Sequence, residues 1–487
     1  MSSTSGPTNE SRAATRSAHP RRTERFALWV SLWGIFVSNV TLTILLVALP
    51  AIAADMPGHL ALTNWVGLAP LLAVTAATPL SGRATDRYGA KRLWLLGFSL
   101  ALFGIGCSCI APSLPWLVTA RFVTGIGTAL FVPAALAITS ALYPPEERAT
   151  PVGYWTSAVA ISPLVGVLVG GYLCELLGWR MLFVAQFALG VPALVLGFAL
   201  PRTPRGPAGA FDIEGAIAGA IAASGLLAIA TFLGSKPLLS PSIGIAALVT
   251  ALAIAWLTSA ERRSAQPVFP PALLASRTVR RALYTRAALS FTYMGAFMTL
   301  PFMLTTLWGL SQSGVALALA CRPLAMGLAG PLAGRLTRRF GTARIAIAGA
   351  WLIFASMIAF LLLGGTPNYV CLTLGLVLAG VGLGLGAPGT VAAVTTRVGP
   401  ELLGTVSGLM TLTSTLANAL GMAGLFAVVE ASGGVHDEDA YRASNAVGAG
   451  VAALGLLAAY ALAKGERDKP VARERLSLSP DCGREQS

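Results

Sequence analysis

Long apolar stretches alternate with short polar, mostly basic segments along nearly the whole chain. A helix that spans a bilayer needs about 20 apolar residues. Fourteen stretches approach that length: 26–52, 62–82, 92–112, 115–141, 151–173, 181–200, 214–234, 242–259, 284–308, 313–334, 342–364, 369–393, 403–430 and 444–463. The seventh and eighth are rich in Ala and Gly. The longest internal polar segment, about residues 260–283, is too short for a soluble domain, and the tail from Lys464 is polar. The pattern predicts an all-α integral membrane protein whose function resides in its helix bundle.

Composition agrees. Of 487 residues 55% are hydrophobic and 11% charged, and mean hydropathy is +0.72. A soluble domain is nearer 25% charged. A disordered chain and a soluble enzyme are thereby disfavoured, and no enzymatic activity is expected. The 53 Gly and 30 Pro suit membrane helices that pack closely and bend.

The net charge of +14 would suggest a nucleic-acid partner in a soluble protein. Here the basic residues sit between apolar stretches, as in cytoplasmic loops, and no nucleic-acid partner is expected. With both termini cytoplasmic, 29 of the 34 Lys and Arg fall on the inner side. Arg180, Lys236 and Arg442 fall outside, and Arg121 and Arg322 within spans. A miscount by one helix would destroy this bias. An even number of spans in the cell (inner or plasma) membrane is therefore expected, with both ends inside.

The six cysteines lack metal-ligand spacing, and the three histidines (His19, His59, His436) lie outside the apolar stretches. No metal site or intramembrane histidine relay is expected. Arg21-Arg22 precedes an apolar stretch far longer than a cleavable signal core of roughly 7–15 residues. It reads as a retained first helix.

The chain repeats itself. Pro79–Gly89 reads PLSGRATDRYG and Pro331–Gly341 reads PLAGRLTRRFG, identical at seven of eleven positions and 252 residues apart. Internal repetition in a helical membrane protein points to a transporter of two related halves with a substrate site between them. Gly82 allows close helix approach. Asp86 can pair with basic residues or face a neighbouring helix N-terminus. Gly89 makes a tight turn, and Lys91 and Arg92 would hold the loop at the lipid headgroups. The charges either set topology alone or form a lock that opens between conformations.

Gly82-x-x-x-Asp86-Arg87-x-Gly89-x-Lys91-Arg92 resembles the signature loop of the major facilitator superfamily, with Gly334, Arg338 and Gly341 as its second copy. Arg121-Phe-Val-Thr-Gly125-Ile-Gly127 resembles the family's fourth-helix motif. Ser162-Pro163-x-x-Gly166 with Gly170-Gly171 resembles the fifth-helix motif of drug exporters. Trp179-Arg180, Phe211-Asp212-x-x-Gly215 and Val381–Gly389 resemble the fourteen-helix drug:proton antiporters. The resemblance implies two six-helix bundles plus two extra central helices. It assigns 1–25 to a cytoplasmic N-tail, 26–200 to the first bundle and 201–263 to a linker holding the extra helices. Residues 264–463 form the second bundle and 464–487 a C-tail. The implied protein is a monomer that uses no cofactor beyond a proton gradient. Its partners are the bilayer and a small-molecule substrate.

A charge at the bilayer centre costs roughly 2.5–3.5 kcal/mol on insertion scales. Arg121 is either a cavity residue, implicated by resemblance in proton coupling, or a snorkelling arginine. Arg322 precedes Pro323, so it either satisfies the carbonyl that the proline frees or offers a cation to substrate. None of the 20 Asp and Glu falls mid-span. Family members commonly carry an Asp where this chain has Thr41 and an Asn where it has Leu46, and Ser162 replaces a Gly. The usual proton site is therefore altered. Polar cavity candidates are Asn39, Thr41 and Thr43 on the first helix and Thr411, Thr415 and Asn418 on one face of the thirteenth. Interhelical hydrogen bonding is the alternative for each. Pro163, Gly166, Gly170 and Gly171 make helix five slim, for close packing between the halves.

The expected function is efflux of a drug-like or antibiotic-like molecule by alternating access, coupled to proton antiport. The alternative is a carrier for an endogenous metabolite without proton coupling.

Overall fold

The computed structural model describes residues 20–56, 60–144, 147–202, 212–233, 240–264, 271–396, 398 and 402–465. Most of both predicted tails falls outside the described residues, as do the side chains of Thr41 and Thr43 and the surroundings of Gly171.

Fourteen helices of at least 19 residues lie among the described residues. They are α1 (Pro20–Asp55), α2 (Leu60–Tyr88), α3 (Ala90–Cys109), α4 (Leu114–Leu142), α5 (Ala149–Leu177), α6 (Trp179–Gly197) and α7 (Ile213–Leu233). There follow α8 (Pro241–Arg263), α9 (Arg277–Thr306), α10 (Gln312–Phe340), α11 (Thr342–Leu361), α12 (Tyr369–Thr395), α13 (Leu403–Ala431) and α14 (Glu438–Gly465). A single helical turn, Pro271–Ala275, precedes α9. Eleven helices are long and apolar enough over their described residues to cross a membrane, and α7 contributes the shorter apolar run Glu214–Ile229. In hydrocarbon each backbone N–H needs an internal partner, and a helix supplies it within one segment.

The helices break where the chain can turn. Gly89 (φ 90°) separates α2 from α3, and Gly341 (φ 89°) separates α10 from α11. Both are left-handed positions that a side chain strains. The repeated motif thus makes the same turn twice.

The duplication runs well beyond eleven residues. In the first six helices α3 and α2 pack on α4, α1 on α5 and α6 on α3. In the last six α11 and α10 pack on α12, α9 on α13 and α14 on α11. Gly97 meets Gly127 where α3 crosses α4, and Gly349 meets Gly382 where α11 crosses α12. At each crossing the backbones approach so closely that any Cβ would collide. An aromatic group of Trp94, Phe98 and Phe131 fills the first bundle, with ring centroids 5.0–5.7 Å apart. Phe131 is fully buried there.

The halves meet chiefly where α2 packs against α13 and α5 against α10, with α12 also touching α5 and α13 touching α4. The α7–α8 hairpin lies along the first seam, with α7 touching both α2 and α13. One end of the bundle, the basic end, carries the basic residues at 87–92, 335–344, 262–263 and 277–281.

Candidate functional site

Helix α13 begins at the basic end with Leu402 at its N-cap, a residue with no side-chain acceptor. The first N–H groups of a helix need partners from elsewhere. Asp86, at the end of α2, supplies them across the seam. Its carboxylate accepts from the Gly404 N–H (2.6 Å), the Thr405 N–H (2.7 Å) and the Thr405 hydroxyl (2.6 Å). Among the described residues Asp86 is the acidic side chain that is buried. The approach depends on Gly82, where a Cβ would sit 3.0 Å from the Gly404 carbonyl. Arg83 interacts electrostatically with Asp86, Asp212 and Glu261, which ties the ends of α7 and α8 to the seam. Lys91 donates to the Phe198 carbonyl (2.7 Å) at the end of α6. The carbonyls past α6 are left unpaired by helix geometry and are within its reach. Arg92 is exposed and Arg87 lies over the Tyr88 ring.

The second copy builds the other seam with opposite charge. Arg338 occupies the position of Asp86 and pairs at 3.6 Å with Glu147, just ahead of α5. A Cβ on Gly334 would meet the Thr150 backbone at 2.6 Å. One on Gly330 would meet the Gly153 carbonyl at 2.3 Å. The Ser157 hydroxyl donates to the Gly327 carbonyl (2.6 Å), and Arg148 donates to the Thr395 carbonyl. Gly153–Ser157 is therefore a slim stretch of α5 that meets the other half, and Gly327 of α10 continues the contact to Ala160 and Ile161. Gly166 and Gly170 are buried and Pro163 is half-buried. Small residues mark a close crossing in sequence but not which of several it is.

Among the described residues three arginines have buried guanidinium nitrogens without a partner. Arg121 on α4 is fully buried with all three guanidinium nitrogens unpartnered, 5.5 Å from the Phe183 ring centroid. It does not snorkel to a surface. Gly125 and Gly127 beside it serve helix crossings, against Pro70 and Ala101. Arg322 on α10 is also fully buried. It donates to the Tyr293 carbonyl of α9 and lies 3.4 Å from the Tyr293 ring centroid and 5.5 Å from that of Phe297. Its Nε and Nη1 have no partner. The guanidinium thus reaches a neighbouring helix.

Arg286 escapes a reading of apolar stretches because it counts as a loop residue at the edge of its span. Helix α9 starts at Arg277, so Arg286 lies nine residues inside it. Its Nε–H donates to the Ser414 hydroxyl of α13 (2.6 Å), and its Nη1 is buried without a partner. The signal available in sequence was the extra basic residue beyond a sufficient loop cluster.

The uncharged candidates largely satisfy themselves. The Asn39 amide donates to the Ile35 carbonyl, the Thr411 hydroxyl to Ser407 and the Thr415 hydroxyl to Thr411, all within their own helices. Asn418 is half-buried on the same face of α13. Among the described residues no group of three or more His, Cys, Asp and Glu side chains could hold a metal ion.

Comparison with known proteins places this architecture. The chain is 28% identical over 392 residues to the riboflavin transporter RibZ of Clostridioides difficile, covering 80% of this chain and 85% of that one. It is 28% identical over 406 residues to a tetracenomycin C resistance and export protein of Streptomyces glaucescens, covering 80% and 73%. The crystal structure of the human organic anion transporter MFSD10 shares the fold. It superposes with a TM-score of 0.69 at 18% identity, over 90% of this chain and 99% of that one. The family model of the Major Facilitator Superfamily matches residues 31–266 and 285–480. With its duplicated bundles and repeated signature loops, the chain belongs to the Major Facilitator Superfamily, a family of multi-pass membrane transporters and not of enzymes.

Proposed function

We propose that the chain is a fourteen-span export carrier of the drug:proton antiporter type, moving an amphiphilic drug-like or antibiotic-like molecule out of the cell by alternating access. It works as a monomer in the inner or plasma membrane, with both termini cytoplasmic. The observation that carries this reading is the jointed seam at the basic end. The halves meet there through glycine backbones, one capping carboxylate and one exposed ion pair. These contacts separate without disturbing either bundle's own core, which a rocking carrier requires.

In this reading the basic end is the cytoplasmic gate, closed in the conformation described. The resistance and export relative supports efflux as the direction. Proton coupling would run through Asp86, the buried carboxylate of the gate. A second reading, a metabolite carrier without proton coupling, is favoured by the lack of any acidic residue mid-span and by the relative named for riboflavin.

The experiment is transport in everted vesicles from a sensitive host expressing the chain, beside the host's resistance profile. Efflux coupled to protons requires raised resistance, and uptake into everted vesicles that stops when the gradient is collapsed and when Asp86→Asn is introduced. Uptake undiminished without a gradient favours the second reading. Unchanged resistance to every compound tested removes the export reading.

A further inference from the structure

We propose that the substrate site selects planar aromatic anions, held by the guanidinium groups of Arg322 and Arg286 on the second bundle. This rests on the carrier reading above and names the substrate class of that site.

The first ground is charge. The helices bury Arg121 and Arg322 fully and Arg286 in part, and none of the 20 Asp and Glu lies mid-span to neutralise them. An ion held in a low-dielectric interior needs a partner. Arg322 is fully buried with two of its three nitrogens unpartnered, and Arg286 has a buried unpartnered nitrogen. A protein carboxylate that would complete either is missing from the middle of every span. The complementary group must arrive from outside, and it is an anion.

The second ground is arrangement. Arg286, Tyr293 and Phe297 stand at i, i+7 and i+11, one face of α9. Seven residues span about 10 Å along a helix. Arg322 reaches over from α10 and lies on the Tyr293 ring, with Phe297 beyond it. Ser414 of α13 meets Arg286 at the lower end. The strip therefore alternates cation, aromatic ring with stacked cation, and a second ring that is 43% exposed. A carboxylate or sulfonate suits the guanidinium donors, and a flat aromatic body suits Phe297 and Tyr293.

The third ground is where Arg322 puts its bond. Pro323 frees the carbonyl one turn earlier in α10, and local repair of that kink would send the guanidinium there. The structure sends it across to the Tyr293 carbonyl of α9. Arg322 also lies on the helix whose Gly327, Gly330 and Gly334 form the α5 seam. Opening that seam moves α10 and uncovers the guanidinium.

The test uses the purified full chain in detergent with two flat dyes of opposite charge: fluorescein, an anion, and ethidium, a cation. Binding is read by fluorescence polarisation and by the shift in melting temperature. The wild type should bind fluorescein and be stabilised by it, and bind ethidium at least about tenfold more weakly. Arg322→Gln should weaken fluorescein binding by about tenfold or more and Arg286→Gln by several-fold. Arg322→Lys keeps the charge and loses the flat fork. It should fall between wild type and Arg322→Gln, and it carries the test where Arg322→Gln does not fold. Ethidium bound as tightly as fluorescein, fluorescein unbound by wild type at millimolar concentration, or fluorescein bound equally by the Arg322 and Arg286 variants and wild type each overturns the proposal. Fluorescein that binds through Arg322 but is never moved across reconstituted vesicles removes the carrier reading and leaves the anion site standing.

Discussion

Asp86 caps a helix that belongs to the other half of the molecule. Its bonds to Gly404 and Thr405 exist only while α2 and α13 touch at the basic end. A hydrogen bond to a charged group contributes about 1.5–3 kcal/mol, and a helix N-terminus adds to it. Asp86→Asn keeps the shape and loses the charge, so it should shift the balance away from the closed basic end by roughly ten- to hundredfold. Spin-label distances between the basic ends of α2 and α13 check this. An unchanged distance distribution would mean that the carboxylate does not hold the seam.

Asp55 belongs to the opposite end and behaves differently. Arg180 (2.6 Å) and the Trp179 indole (3.1 Å) donate to its carboxylate and hold its pKa below the usual value. A lowered pKa means that the interaction is present in full above the unfolded value near 4 and is lost as pH falls through the folded one. Both partners are roughly half exposed, so the effect is small. The melting temperatures of wild type and Asp55→Asn should differ slightly at pH 7 and converge below about pH 4. A difference that widens on acidification would reverse the sign.

At the scale of the helix, two kinds of glycine contact have different consequences. Gly330 faces the Gly153 carbonyl across the seam, and Gly382 faces the Gly349 carbonyl inside the second bundle. Gly330→Val should leave the protein folded but unable to close at its basic end. A cysteine on α5 near Ser157 should become open to labelling and transport should stop. Gly382→Val should destabilise the protein itself by about 1–3 kcal/mol or more, as overpacking does, and lower its melting temperature. Equal loss of folding in both would show that the seam belongs to the folding core.

The same distinction explains what could be read at this scale. The helices were legible because a bilayer forces about 20 apolar residues onto each. Gly82 was legible because it recurs as Gly334 in the second copy, and Asp86 because it stands in the signature loop. Gly153 was not, since a small residue looks the same whether it faces its own bundle or the other. Arg286 was missed because hydropathy fades at helix ends. Its place inside α9 depends on the first turns of α9 continuing into the bilayer.

For the whole molecule, duplication makes a firm demand on topology. Cysteines replacing Arg92 and Arg344, each just past one copy of the repeated motif, should be labelled from the same side of the membrane. Labelling from opposite sides would break the alignment of the halves. The α7–α8 hairpin sits across the α2–α13 seam, and no sequence pattern placed it there.

The sequence by itself determined the membrane class, the helices, the repeat and the absence of mid-span acid, because hydrophobic length and local turn chemistry are properties of short segments. Only the tertiary structure decided which side chains meet. It put Asp86 on the N-terminus of α13, set Arg338 against Glu147, and left Arg322 and Arg286 with bare nitrogens. Those partners lie tens to hundreds of residues apart, and their meeting follows from how the helices of two bundles pack.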